Sequence, residues 1–201
     1  MFVIRNMRLL IAPAFTCIII FLILLVIPLT NSGNIFKDAS GQFPFGNPQD
    51  ELKPYENTKL KLSIQYPSSW QKEERLNDFI TFLAPIVDSS QYRSPAGLGI
   101  SSLSVSNVSL NTIINVHLKN MTNNLKNFQL FESSDTVIAD NRPAKKIIFT
   151  ATDVEQKKQA LQLITKNNDK VYLITYKADV DKYEQYFPII QKMLNSLVFF
   201  K

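Results

Sequence analysis

The chain has little of what most enzymes and small secreted scaffolds are built from. Among 201 residues there is one cysteine and one histidine. Cys17 lies inside an apolar run, so a disulfide framework and a cysteine metal site are both excluded. A single imidazole cannot supply a histidine-rich zinc centre. Glycine is equally scarce, with five in all and only Gly97 and Gly99 beyond residue 54. That excludes collagen-like order, a glycine-rich phosphate loop and the Gly-x-Ser-x-Gly elbow of serine hydrolases. No heptad repeat persists, which removes a coiled coil. Aromatic residues at 11% and hydrophobic residues at 45% remove wholesale disorder.

What the chain does have is one long run without charge, from Leu9 to Leu29. At ~1.5 Å per helical residue it spans about 31 Å, the thickness of a bilayer's hydrocarbon core. Arg5 and Arg8 precede it, and Lys37 is the only basic residue close behind it. The positive-inside bias therefore leaves the N-terminus in the cytoplasm and everything after the run outside. Secretory hydrophobic regions usually hold roughly 7–15 residues, so residues 1–30 read as a retained signal anchor in the cytoplasmic membrane. Cleavage among Thr30, Asn31, Ser32 and Gly33, giving a secreted protein, is the alternative. Cys17 is in the middle of the run rather than at its end, where lipid attachment would need it, and reads as a small buried hydrophobe.

Residues 31–54 mix Gly33, Gly41, Gly46, Pro44, Pro48 and Pro54 with Asn, Ser, Asp and Gln and show no apolar periodicity. This is a flexible linker. Within it, Phe43 and Phe45 flank Pro44 and are candidate docking residues for a membrane partner; the plainer alternative is a segment lying against the domain or the headgroups. Of the net charge of +5, the first 32 residues carry +2 and residues 33–54 carry −1. The remaining +4 is mild, and no nucleic-acid partner is expected.

The rest of the chain reads as alternating strands and two helices. Leu60, Leu62 and Ile64 alternate with polar residues up to Tyr66-Pro67, and short strands follow from Trp70 to Arg75, Phe79 to Ala84 and Ile100 to Val105. Asp88 to Gly99 has loop composition. From Ser109 to Lys126 the period becomes helical, with Leu110, Ile114, Leu118, Met121 and Leu125 on one face and Ser109 as N-cap. Strand patterns return at Phe128–Ala139, Ala144–Thr152, Gln159–Thr165 and Val171–Tyr176, the last two apolar on both faces and therefore central. Asp140-Asn141-Arg142-Pro143 and Asn167-Asn168-Asp169 form the sharpest turns. Tyr183, Phe187, Ile190, Leu194 and Leu197 mark a closing helix, with Asp179 and Asp181 as caps and Pro188 in its first turn or at a kink. The expected domain is α+β, two helices packed on a mainly antiparallel sheet.

Few residues suggest chemistry. His117 falls on the border of the first helix's apolar face, where a backbone or solvent partner would satisfy it. Glu73 and Glu74 are neighbours on a strand and point to opposite faces. Asp78, Asp88, Asp135, Asp140 and Asp153 lie near strand ends, where oxygens could gather around a calcium ion, although their spacing matches no calcium loop. Lys145-Lys146 and Lys157-Lys158 read as a solvated face, with attraction to anionic headgroups as the minor alternative. Asn107-Val108-Ser109 and Asn120-Met121-Thr122 match the acceptor pattern for N-glycosylation, which makes Asn107 and Asn120 candidate sites, Asn107 the better placed.

Tyr55-Glu56-Asn57 followed by a strand ending Tyr66-Pro67-Ser68-Ser69-Trp70 resembles the opening of the PsbP family, extrinsic proteins of the oxygen-evolving side of photosystem II and their relatives. Asn141-Arg142-Pro143-Ala144 is similar to that family's Gly-x-Pro-Ala-like turn, and Asn195-Ser196-Leu197-Val198-Phe199 to its Ser-Phe ending. The likeness extends from Tyr55 to Phe200. It implies the α/β/α sandwich shared with the nuclear transport factor Mog1, with a mainly antiparallel central sheet and two principal helices over residues 55–201. The apolar N-terminus is unlike a plastid transit peptide. Where some family members are linked to manganese or calcium supply, this chain offers one histidine. The resemblance implies a prokaryotic or archaeal relative: a non-enzymatic, extracytoplasmic, membrane-tethered accessory module for a membrane protein complex. The alternative is an extracytoplasmic carrier of a ligand or of calcium or manganese, using a pocket near the Asp88–Gly99 loop.

Overall fold

A computed structural model describes residues 50–75, 78–86, 95–139, 141–153 and 155–200. Residues 1–49, with the expected anchor, Cys17, Phe43 and Phe45, lie outside the described residues, as do Asp88 and Asp140. Among the described residues no helix is long and apolar enough to cross a membrane. The elements run β1 (Leu52–Asn57), β2 (Leu62–Pro67), β3 (Gln71–Arg75), β4 (Phe79–Leu83), β5 (Gly97–Ser104), α1 (Leu110–Asn124), β6 (Lys126–Ile138), β7 (Arg142–Asp153), β8 (Gln156–Asn167), β9 (Lys170–Asp179), α2 (Tyr183–Asn195) and β10 (Val198–Phe199).

Seven strands form one sheet in the order β3-β4-β5-β9-β8-β7-β6, and β1-β2-β10 form a smaller one. Every pairing is antiparallel. The two-residue period divides the central strands between two cores. On β9, Tyr172, Ile174, Tyr176 and Ala178 face one core, and Val171 and Leu173 the other. On β8 the split is Leu161 and Leu163 against Ala160 and Ile164. The first core is closed by α2, through Tyr183, Tyr186, Ile190 and Met193, by the small sheet, through Leu62 and Ile64, and by Leu60 in the turn between β1 and β2. The second is closed by α1, through Ile113, Ile114 and Met121. The result is the expected α+β sandwich, a mainly antiparallel sheet between two principal helices, and β8 and β9 do lie at its centre.

β7, β8 and β9 run one to three residues past their sequence patterns at each end, and three other strands depart from the reading further. β1 starts at Leu52, so the last residues of the 31–54 linker pair with β2, Pro54 opposite Gln65. Proline is tolerated there because β1 is an edge strand and its missing N–H breaks no ladder. β5 starts at Gly97, inside the expected loop. A Cβ at Gly97 would meet the Phe82 carbonyl oxygen at 2.8 Å and Leu83 Cδ2 at 2.9 Å, so only glycine permits that approach. β10 continues the chain after α2 and sets Phe199 opposite Leu62.

The turns carry the expected chemistry: Asn141 and Asn168 adopt left-handed backbone at φ 55°. Ser109 caps α1 as expected, its Oγ accepting from the Thr112 N–H at 3.1 Å. The caps expected for the second helix are corrected. Lys182 occupies the N-cap without a side-chain cap bond, and Asp179 ends β9 and pairs with Lys158. Pro188 lies inside α2, which runs on to Asn195.

Candidate functional site

The site is built on α1. Its buried residues are Ile113, Ile114, His117 and Met121, so the helix is turned toward the sheet further than its apolar pattern implies. His117 is 4% exposed, which corrects the border position expected for it. The compensation comes from β8: His117 Nε2 lies 2.8 Å from Gln162 Oε1. That oxygen can only accept, so Nε2 carries the proton and donates. Burial pushes the imidazole below its ordinary pKa, with the bond to Gln162 opposing that push only in part.

Between α1 and strands β7 to β9 lies a half-open cleft with about 560 Å³ of empty space, its mouth included. Met121, Leu125, Phe149, Ala151 and Ala160 give it apolar walls, while His117, Gln162, Thr175, Lys158, Lys177 and Asp153 supply polar atoms. The strand register explains the grouping. Gln162 pairs with Thr175, Ala160 with Lys177 and Lys158 with Asp179, so these side chains form three adjacent rows on the α1 face. A smaller hollow under the N-terminal half of α1 is lined by Ser101, Ser102, Ile113 and Leu173 and shares His117.

The charges of the cleft are balanced. Lys158, whose side chain is 4% exposed, pairs with Asp179 and donates to Gln156 Oε1 at 3.0 Å. Lys177 Nζ lies 2.7 Å from Asp153 Oδ2, with both side chains mostly buried. Against these satisfied groups stands Thr175 Oγ1, which is buried and has no hydrogen-bond partner. The one imidazole donates to an amide rather than facing a nucleophile. The arrangement can hold a ligand.

Lys158 was hidden in the Lys157-Lys158 run, expected as a solvated face. Alternation sends Lys157 to solvent and Lys158 into the cleft, a separation that the spacing to Ala160 and Gln162 could have shown. The other expected sites scatter. Lys145 and Lys146 pair with Asp135 and Glu132 of β6 at 3.0 and 2.7 Å. Glu73 and Glu74 pair with Arg75 and Lys72. Asp135 and Asp153 thus serve different lysines, and among the described residues no three His, Cys, Asp or Glu side chains gather as a metal site. Of the expected Asp88–Gly99 pocket, residues 87–94 lie outside the described residues, and Gly97 and Gly99 are strand residues paired with Lys177 and Thr175. Asn107 is exposed at φ 57° ahead of α1. Asn120 is half-buried on α1, its carbonyl accepting from Asn124 Nδ2.

The family model described as PsbP-like protein matches residues 16–199. The chain belongs to the PsbP-like family. Solved structures agree on its fold. Cyanobacterial PsbP (CyanoP) from Synechocystis sp. PCC 6803 aligns over 86% of this chain and 99% of its own at 11% identity, with a TM-score of 0.54. A protein of unknown function from Pseudomonas aeruginosa aligns over 73% of this chain and 96% of its own at 16% identity, also at 0.54. A Mog1 variant covers 74% and 96% at 9% identity, with 0.52. Identities this low establish the fold alone. No curated protein matches the chain in sequence.

Proposed function

We propose that this PsbP-like protein is a non-enzymatic binding module, held outside the cytoplasmic membrane by residues 9–29 and serving as an accessory to a membrane protein complex. The observation that carries the binding role is the cleft under α1, whose charges are paired and whose histidine is kept neutral. Such a site is suited to holding a ligand. The uncharged run Leu9–Leu29, flanked by Arg5 and Arg8, supports the tether, and Phe43 and Phe45 are the linker residues best suited to docking the partner.

Fractionation of cells expressing the full chain tests the placement. The protein should stay with membranes through an alkaline wash, and protease added outside the cytoplasmic membrane should digest the domain. Recovery in the soluble fraction, or protection from that protease, would overturn the tethered reading. Mild cross-linking should recover a membrane protein with the wild type and less of it with Phe43→Ala/Phe45→Ala; equal recovery removes the docking role.

A further inference from the structure

The two edges of the seven-stranded sheet are guarded differently. β3 is a five-residue edge, and its Lys72, Glu73, Glu74 and Arg75 are charged and pair along the strand itself. Charges on a short edge deter another strand from joining it. β6 is a thirteen-residue edge without proline, and its one lysine stands at the first position. Its acids are held by its neighbour β7, Glu132 by Lys146 and Asp135 by Lys145. The irregularities in its pairing with β7 fall before Glu132, and from there to Ile138 the register is unbroken. That stretch offers an open row of backbone N–H and C=O groups.

Side chains along the same stretch alternate. Phe131, Ser133, Asp135 and Val137 are exposed, whereas Glu132, Ser134 and Thr136 between them are half-buried. At 56% and 61% exposure, Phe131 and Val137 are the two most exposed large hydrophobic side chains among the described residues. Exposed apolar side chains on an open edge suit the addition of a strand.

A second copy of β6 fits this edge in one register. A two-fold axis through the sheet sets one residue of β6 opposite itself, and residues opposite each other share a face. An axis at Glu132 or at Asp135 brings like charges together, which is unfavourable. An axis at Ser133 sets Phe131 against Asp135, and one at Thr136 sets Val137 against Asp135. At Ser134 the row is matched: Val137 meets Phe131 of the second copy, Asp135 meets Ser133, and Thr136 meets Glu132. Both exposed apolar side chains gain a partner, and no like charges oppose.

We propose that two copies of this chain pair through β6, antiparallel about Ser134, so that their seven-stranded sheets join into one. The inference goes beyond the binding-module reading and rests neither on the cleft nor on the tether.

Cross-linking of the full chain in detergent micelles tests it, with Cys17→Ala removing the native thiol. Ser134→Cys lies on the axis, so a bis-maleimide with a short spacer should join it to its counterpart. Two Gln129→Cys side chains would be about 30 Å apart at ~3.3 Å per residue, so the same reagent should leave them unjoined. Light scattering should give a protein mass of two chains. Val137→Lys alters an exposed side chain, so the fold should survive, as circular dichroism checks, while Ser134→Cys adducts fall about tenfold because a lysine on the edge opposes pairing. Val180→Lys, at an exposed valine outside β6, should leave them unchanged. Equal joining at Gln129→Cys and Ser134→Cys, or a single chain at every concentration, would overturn the inference. A two-chain mass and Ser134→Cys adducts that both survive Val137→Lys would assign the association to another part of the chain and overturn it too. So would Ser134→Cys adducts formed in native membranes with a different protein and never between copies. Membrane fractionation judges the tether separately, and none of these outcomes bears on it.

Discussion

The two faces of the seven-stranded sheet are built from the same strands yet are closed in different ways. Toward α2 the side chains are large and aromatic: Tyr66 and Phe82 lie 4.6 Å apart, Tyr172 and Phe199 4.7 Å, and Trp70 meets Tyr186 edge-on. Two polar tips there reach the backbone, Tyr172 Oη donating to the Leu60 carbonyl at 2.8 Å and Tyr176 Oη to that of Tyr183 at 2.6 Å, while Trp70 Nε1 and Tyr183 Oη are buried without a partner. Burial holds both phenols above their usual pKa. Toward α1 the same strands present Ala160, Gln162, Thr175, Lys158 and Lys177, and a cleft remains. Small and paired polar side chains cannot fill the layer under a helix as aromatic ones do. One face supplies cohesion, and the other gives up packing for a place to bind.

Substitutions should separate the two faces. The largest loss is expected from Phe82→Ala, at a fully buried site on the α2 side. It should cost about 3–5 kcal/mol in urea unfolding. A loss under about 1 kcal/mol would mean that this face is not the principal core. Asp179→Asn leaves Lys158 charged without its carboxylate, and should cost roughly 3 kcal/mol. The Lys158→Met/Asp179→Leu double variant should recover most of that, since apolar replacement of a buried pair is often neutral. If the single and double variants lose the same amount, the pair is not what matters at that position.

A smaller effect follows pH. Because burial lowers the pKa of His117 in the folded protein, the unfolded chain takes up its proton first, near pH 6.5. Stability should therefore fall as pH drops from about 6.5 toward 5, by at most about 1.4 kcal/mol per pH unit. His117→Gln should flatten that part of the curve, and an unchanged slope would assign it to other groups. The smallest effect is expected at the start of α1, where Ser109→Ala should cost about 1 kcal/mol and speed amide exchange in the first turn of α1 only.

Much of the fold could be read in the sequence because it rests on local patterns. The double-sided runs of β8 and β9, the helical spacing of Ile190 and Met193, the Ser109 cap and the asparagine turns all signal through neighbours in sequence. β1, the start of β5 and β10 were not legible, since Pro54, Gly97 and a two-residue strand are accommodated only by partners far along the chain. The cleft was hidden for the same reason. Lys158 with Asp179, Lys177 with Asp153 and His117 with Gln162 are matches across strands or between helix and sheet, and no sequence period announces them.

Native-state hydrogen exchange on the full chain tests the contrast between the faces most directly. Amides of α2 and of β9 should exchange only through global unfolding, whereas those in the C-terminal half of α1, over the cleft, should exchange through a local opening of distinctly lower free energy. Equal protection of both helices, at the global value, would contradict the division of labour between the two faces.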